Sequence, residues 1–69
     1  MSPEAYWAEL ERRCGLIRMG SGQDGNCLCS DRNQTHFEIP DPEEMPDDET
    51  RADTLEFVIE HLHRHALGY

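Results

Sequence analysis

The chain has 69 residues and carries fifteen Asp and Glu against six Arg and no Lys, a formal net charge of −9. A chain this acidic has no basic stripe to neutralise phosphates, which argues against direct binding of nucleic acid or of an anionic membrane. Its length supports one small core, and 36 % hydrophobic residues is low for a globular protein but too high for a disordered one. We therefore expect a single domain over residues 1–69.

The expected compartment is the cytoplasm. The N-terminal residues lack the basic and apolar regions of a secretory signal, and no apolar run has the length of a membrane span. The cysteines at positions 14, 27 and 29 are odd in number, and Cys27 and Cys29 are too close to bridge easily in an extended segment. We expect reduced thiols.

A first helix is predicted from residue 3 to residue 14. Ser2 is a good N-cap, Pro3 suits the first helical position, and Gly15 can adopt the left-handed conformation that ends many helices. Apolar residues recur at helical spacing on one side. The predicted buried stripe consists of Trp7, Leu10 and Cys14, flanked by Tyr6.

Three strands are predicted next, at residues 16–19, 26–30 and 35–39. Residues 20–25 are predicted to form a glycine-rich loop, and a tight turn is centred on Arg32 and Asn33. This turn sets Cys29 opposite His36. One face of the sheet then presents Leu28, Phe37 and Ile39 to the helices, and the other presents Cys27, Cys29, His36 and Glu38.

An acidic connector at residues 40–47 leads to the last helix. Asp41 and Pro42 are suited to begin a single helical turn within it. The helix is expected to start near residues 47–48 and to end around Ala66. Its predicted buried stripe consists of Leu55, Val58, Ile59, Leu62 and Ala66, with Ala52 at the edge.

These elements predict an α+β fold in the order helix, three-stranded antiparallel sheet, helix. Both helices should cover the same face of the sheet and leave the other face exposed. The exposed face and the edge strand could each pair in a symmetric homodimer.

A glycine-rich pattern occurs at Gly20, Gly22 and Gly25, with the spacing of phosphate-binding loops. The dinucleotide-binding form needs a helix directly after the loop, whereas a strand is predicted here. We interpret the segment as a loop between strands and expect no cofactor.

A zinc site is an alternative that the predicted register allows. It places Cys27, Cys29 and His36 on one face, which is one ligand fewer than a structural zinc site needs. A histidine of the last helix, His61, His63 or His65, could be the fourth ligand. The competing interpretation is two small strand residues and a solvent-facing histidine, with the helix histidines stabilising the negative end of the helix dipole.

Catalysis has little support from the residue types. Cys29 and His36 are the one nucleophile and base that the predicted register brings together, and Asp31 and Glu38 make their surroundings acidic, which does not lower a thiol pKa. His61 and His65 have i, i+4 spacing, but Leu62 stands where a metalloprotease has its glutamate. We expect a non-enzymatic binding protein.

The negative charge is concentrated in one stretch, because residues 38–60 contain ten carboxylates and one arginine. It is either a solubilising surface or a docking surface for a basic partner. Phe57 lies opposite the apolar stripe of the last helix, with Asp53 and Glu60. It either anchors that partner or is covered by residues 45–46.

Four segments carry a family resemblance: Cys14-Gly15-Leu16, Gly20-Ser21, residues 37–42 and residues 54–59. In these and in the order of its elements the chain resembles the HicA-type toxins, a small fold similar to double-stranded-RNA-binding domains. The resemblance implies RNA cleavage. The family has its catalytic histidine directly after the Gly-Ser pair, where this chain has Gly22, and the basic RNA surface is replaced by negative charge. An inactive relative is therefore also implied.

The preferred hypothesis is a phage- or mobile-element-type inhibitor that docks on a basic, nucleic-acid-binding protein. Small acidic anti-CRISPR and anti-restriction proteins, which are similar in composition and size, mimic nucleic acid in this way. The predicted docking residues are Asp41, Glu43, Glu44, Asp47, Asp48, Glu49, Asp53, Phe57 and Glu60. The alternatives are a HicA-like RNA-cleaving toxin, tested by His36→Ala, or its inactive relative, and a small zinc-binding module.

Overall fold

The computed structural model describes residues 1–65, without the side chain of His65. Helix α1 spans Pro3–Cys14, and strands β1, β2 and β3 span Ile17–Ser21, Asn26–Ser30 and His36–Pro40. A short 3-10 helix at Pro42–Glu44 precedes helix α2 at Asp48–His65. The α+β order of helix, three antiparallel strands and helix is confirmed, with the sheet order β1-β2-β3. The predictions for Ala66 fall outside the described residues.

Helix α1 begins and ends where its capping residues predict. The Ser2 hydroxyl accepts a hydrogen bond from the backbone N–H of Ala5, and Gly15 ends the helix at φ 69°. Its buried face is rotated toward Tyr6 relative to the predicted stripe, because Tyr6 and Leu10 are fully buried whereas Trp7 is only partly so. The Tyr6 hydroxyl also donates to the carbonyl oxygen of Pro40 at 3.0 Å, which ties α1 to β3.

The predicted loop at residues 20–25 was wrong at its start. Gly20 and Ser21 pair with β2 after an irregularity in the register beyond Arg18. The chain then reverses at Asp24 and Gly25, whose φ angles are 53° and 77°. Positive φ at both central residues is what a type I′ hairpin turn requires, and Asp-Gly is a favoured pair for it. The glycines therefore form a tight hairpin and not a loop that cradles phosphate.

The pairing of β2 with β3 differs by one residue from the predicted register. Cys29 lies opposite Phe37, and His36 lies opposite Ser30. Because side chains alternate along a strand, this shift moves both β2 cysteines to the helix-covered face and Leu28 to the other. The covered face consists of Cys27, Cys29, Phe37 and Ile39, and the uncovered face carries Leu28, His36 and Glu38.

The turn between β2 and β3 causes this difference. The Asp31 carboxylate accepts the backbone N–H groups of Asn33 and Thr35, each at 2.9 Å. Gln34 follows with φ 63°, and its N–H donates to the carbonyl oxygen of Asp31. A turn followed by a left-handed residue is the three-residue form of a hairpin loop, and it is one residue longer than the predicted turn.

One hydrophobic core lies between the sheet and the two helices. Helix α2 contributes the stripe that was predicted for its described part, and α1 and the sheet contribute the remainder. The core cluster consists of Tyr6, Leu10, Leu16, Cys29, Ile39, Leu55, Val58, Ile59 and Leu62. Neither helix within residues 1–65 combines the length and the apolar character needed to cross a membrane.

Candidate functional site

The acidic connector is held by two aspartates that cap helices. The Asp41 carboxylate accepts the backbone N–H of Glu43 at 2.9 Å and so begins the 3-10 helix. The Asp47 carboxylate accepts the backbone N–H of Thr50 at 2.7 Å at the start of α2, and this hydrogen bond lowers the pKa of Asp47. Both aspartates were predicted to bind a partner, and both have a structural role in the fold.

Arg51, on the first turns of α2, joins the connector to the N-terminus. Its guanidinium donates to the carbonyl oxygens of Pro42 at 2.8 Å and Met45 at 3.2 Å, and more weakly to that of Met1 at 3.4 Å. It also pairs with the Asp48 carboxylate at 2.6 Å. This arginine is the only cation that the sequence places in residues 38–60, and these contacts occupy it.

Three further carboxylates of the acidic stretch have contacts elsewhere in the molecule. Glu56 pairs with Arg13 of α1 at 2.9 Å, and Glu60 pairs with Arg64 one turn along α2 at the same distance. The Glu38 carboxylate accepts the backbone N–H of Gln23 at 3.3 Å. These contacts attach the acidic stretch to α1 and to the β1–β2 turn.

Four exposed carboxylates remain, and within residues 1–65 they make no side-chain hydrogen bond or ion pair. They are Glu43, Glu44, Glu49 and Asp53. Two lie on the 3-10 helix and two on the first turns of α2, so regular structure holds them in place. We call these four residues the free acidic cluster.

Phe57 is on the outer side of α2, as predicted, and 70 % of its surface is exposed. It stacks on His61 with ring centroids 6.5 Å apart. Met45, which could have covered it, packs against the core instead. Exposed aromatic rings with a polar rim are typical of interface centres, so the exposure of Phe57 is consistent with its predicted role as an apolar anchor.

A groove separates β3 from α2, with a volume of about 450 Å³. Its lining residues are His36, Phe37, Glu38, Ile39 and Pro40 of β3, and Phe57, Val58, His61 and Leu62 of α2. This groove could not be predicted from the sequence, because it depends on how far an edge strand lies from a helix that is distant in sequence. The exposed Phe57 was the one sequence signal at its rim.

The predicted zinc ligands do not converge. Cys27 and Cys29 are buried on the helix-covered face, whereas His36 is exposed on the opposite face. No group of three or more His, Cys, Asp or Glu in the part of the chain that the structure describes has the arrangement of a metal site. The i, i+4 pair of His61 with His65 falls partly outside it, because the His65 side chain is not described.

The same register removes the predicted pair of nucleophile and base, because Phe37 and not His36 lies opposite Cys29. Burial, reinforced by the charge of Cys27, raises the pKa of the Cys29 thiol from 9.0 to about 11. Burial also raises the pKa of Cys27 and of Cys14. Thiols in such surroundings stay protonated at neutral pH and are poor nucleophiles.

No protein-family model, no curated protein and no solved structure matches the chain. The geometry of the chain is therefore the basis for proposing its function.

Proposed function

We propose that this protein inhibits a nucleic-acid-binding protein by docking its acidic surface on the basic site that normally contacts phosphates. The observation that carries the proposal is the free acidic cluster, four exposed carboxylates that the described fold does not use. Opposite charge across an interface accelerates encounter and selects against wrong partners. The mode of action is the nucleic-acid mimicry expected from composition and size.

Two features of the surface favour docking over simple solubility. The caps at Asp41 and Asp47 and the Arg51 contacts hold the connector, so the negative charges keep a defined arrangement. Binding a preorganised surface costs less conformational entropy than binding a mobile one. Phe57 adds an apolar contact that a solubilising surface does not need.

A displacement assay tests the proposal. A CRISPR effector complex, a restriction endonuclease and a set of basic DNA-binding proteins are each loaded with a fluorescent duplex, and the chain is titrated in. We expect it to displace the duplex from at least one of them, with an affinity that falls steeply as salt rises. Displacement from none, or displacement that is indifferent to salt, contradicts the proposal.

A matched pair of charge reversals makes the assay specific to the surface. The double variant Glu43→Lys with Glu44→Lys changes the free acidic cluster, and Glu4→Lys with Glu11→Lys changes two exposed glutamates of α1. Each raises the net charge from −9 by four. We expect the first variant to lose displacement at least tenfold and the second to keep it; equal losses would show that net charge alone acts.

A second candidate is the RNA-cleaving activity implied by the HicA resemblance, or its inactive relative. The observed order of helix, three strands and helix agrees with the fold that the resemblance implies. Gly20 and Ser21 lie at the end of β1 and Gly22 follows them, so no histidine occupies the family's position. RNA cleavage by the purified chain that is lost in His36→Ala would favour this candidate over docking.

A further inference from the structure

Within residues 1–65, the outer edge of β3 has backbone N–H and C=O groups that no other strand pairs. β3 is at one end of the sheet order β1-β2-β3 and lies next to β2. Backbone hydrogen bonds from Asp31 to Thr35 and from Asp41 to Gly25 flank the β2–β3 ladder. Hydrogen-bonded pairs in an antiparallel ladder alternate, so Phe37 and Ile39 face β2 with their N–H and C=O groups.

His36 and Glu38 therefore direct their backbone N–H and C=O groups away from β2. No other backbone or side-chain group within residues 1–65 forms a hydrogen bond with them. The next residue of the same parity, Pro40, has no N–H, and its carbonyl oxygen is already bonded to the Tyr6 hydroxyl. The free edge is thus short, and it faces the groove between β3 and α2.

The groove walls define what an added strand would contact. On the side of the helices lie the apolar side chains of Phe37, Ile39, Phe57, Val58 and Leu62. On the uncovered side lies the exposed Glu38 carboxylate. Because side chains of an extended peptide alternate between two faces, a fitting segment has apolar residues on one face and basic residues on the other.

Charge decides between the two kinds of strand that could bind this edge. A second copy of the chain, paired antiparallel about the centre of the free edge at Phe37, would set Glu38 opposite His36 of that copy. It would also bring together two stretches that each contain ten carboxylates and one arginine. Repulsion between two strongly acidic stretches opposes the pairing of two copies, whereas a cationic segment is attracted. A basic segment of another protein therefore fits this edge better than a second copy of the chain does.

We propose that the groove binds an extended segment of alternating basic and apolar residues, which pairs with the free edge of β3 as a fourth strand. This inference deepens the proposed function, on which it rests, by giving the form of the partner's contacting segment. Main-chain hydrogen bonds to His36 and Glu38 would provide affinity. Apolar side chains against Phe57 and a basic side chain beside Glu38 would provide specificity.

The test uses a short, end-blocked peptide of alternating arginine and valine, titrated into the isotope-labelled full chain and followed by NMR. We expect the largest shifts in β3 and around Phe57, together with slower hydrogen exchange at the amides of His36 and Glu38. A peptide of the same sequence with every second backbone nitrogen methylated keeps its charge and apolar groups. When the methylated nitrogens are the ones that would otherwise donate to β3, this peptide should bind at least tenfold more weakly.

Matched variants separate the groove from general adhesion. Phe57→Ala removes an exposed aromatic ring at the groove, and Met19→Ala removes a side chain that is 61 % exposed on β1, away from the groove. We expect about a tenfold loss of peptide affinity for the first and less than about twofold for the second. The single tryptophan, Trp7, packs against the core and reports whether both variants are folded.

Two results would overturn the inference without deciding the proposed function. In one, the peptide shifts only the free acidic cluster and the methylated peptides bind equally well, so that charge acts without strand pairing. In the other, the peptide does not bind at all. The duplex-displacement assay with the Glu43 and Glu44 reversals tests the proposed function independently of both. Selective β3 protection together with the Phe57 effect would support the inference.

Discussion

Residues 1–37 and residues 38–60 differ in the number of cations that accompany their carboxylates. In the first region five acids accompany four arginines, and two of the acids have local partners: Glu9 pairs with Arg12, and Asp31 holds a turn. In the second region ten acids accompany one arginine, and Arg51 is occupied by the connector and the N-terminus. The excess in the second region cannot be paired within that region.

The carboxylates of the second region form two groups, those that have a role in the fold and those that have none. Asp41 and Asp47 begin helices, and Asp48 pairs with Arg51. The free acidic cluster has no such contact in the described chain, and like charges held close together repel each other. Substitutions in the two groups should therefore have opposite consequences, with stability lost in the first and binding lost in the second.

The largest effect on stability is expected at Arg51. Arg51→Met removes its hydrogen bonds to the carbonyl oxygens of Pro42 and Met45 and leaves Asp48 only the longer ion pair with the Met1 ammonium, at 3.9 Å. Losing the partners of part-buried groups should lower the free energy of unfolding by about 2 to 3 kcal/mol, measured by urea denaturation. The control Arg64→Ala breaks an exposed pair and should cost less than about 0.5 kcal/mol. Equal costs would contradict the structural role of Arg51.

The next effect is a loss of stability at alkaline pH, caused by Cys29 in the hydrophobic core. Cys29 has a folded pKa of about 11, above its unfolded value near 9, because burial disfavours the thiolate. The neutral thiol therefore contributes stability that is complete below pH 9 and is lost as pH rises to about 11. We expect a loss of about 2 kcal/mol over that window, which Cys29→Val should reduce. An unchanged alkaline slope in the valine variant would contradict this assignment.

A smaller effect, of opposite pH dependence, is expected at Asp47 in the acidic stretch. The hydrogen bond from Thr50 lowers the pKa of Asp47 in the folded chain. Its carboxylate contributes stability that is present above the unfolded pKa of 3.8 and is lost as pH falls through the lower folded pKa. Asp47→Ala should therefore destabilise at pH 7 and have less effect near pH 3, in thermal unfolding. Asp53→Ala, which removes an exposed carboxylate that caps no helix, is the control and should change the free energy of unfolding at pH 7 by less than about 0.5 kcal/mol.

Helix boundaries could be predicted because the residues that determine them are local. Ser2 and Gly15 bracket α1, and Asp41 with Pro42 begins the 3-10 helix, each through contacts within a few residues. The outward position of Phe57 likewise follows from helical periodicity alone. These features needed no knowledge of the tertiary fold.

The strand register could not be predicted, because one residue in a turn decides it. Arg32 and Asn33 fit a two-residue turn as a pattern, but the structure has Gln34 at positive φ and uses the Asp31 carboxylate to satisfy the turn's N–H groups. That single added residue exchanges the two faces of β2. The predicted metal and nucleophile groupings of Cys29 with His36 depended on the face assignment and were wrong with it.

The total charge was evident from the sequence, but which carboxylates are paired and which are free was not. Which carboxylates are paired depends on contacts between distant residues, such as Arg13 with Glu56. The groove has the same origin, because β3 and α2 meet only in the folded chain. The sequence could therefore name the acidic stretch as a candidate docking surface, and the structure was needed to distinguish its free acidic cluster from the acids that hold the fold.

The smallest expected effect on stability tests that distinction most directly. The triple variant Glu43→Gln, Glu44→Gln and Asp53→Asn neutralises three members of the free acidic cluster and leaves the caps unchanged. Its free energy of unfolding should stay within about 0.5 kcal/mol of the parent chain, and should be slightly higher at low salt because repulsion is relieved. Added salt should remove this gain, since screening weakens repulsion between exposed charges in the parent chain as well.

The same triple variant should fail in the duplex-displacement assay, so that one set of substitutions preserves the fold and abolishes the proposed binding. A loss of stability above about 1 kcal/mol would mean that these carboxylates hold the fold after all. The two regions would then not differ in kind, because the charge of residues 38–60 would be structural throughout. A stable variant with unchanged displacement would instead reject the docking role of the free acidic cluster while leaving its independence from the fold intact.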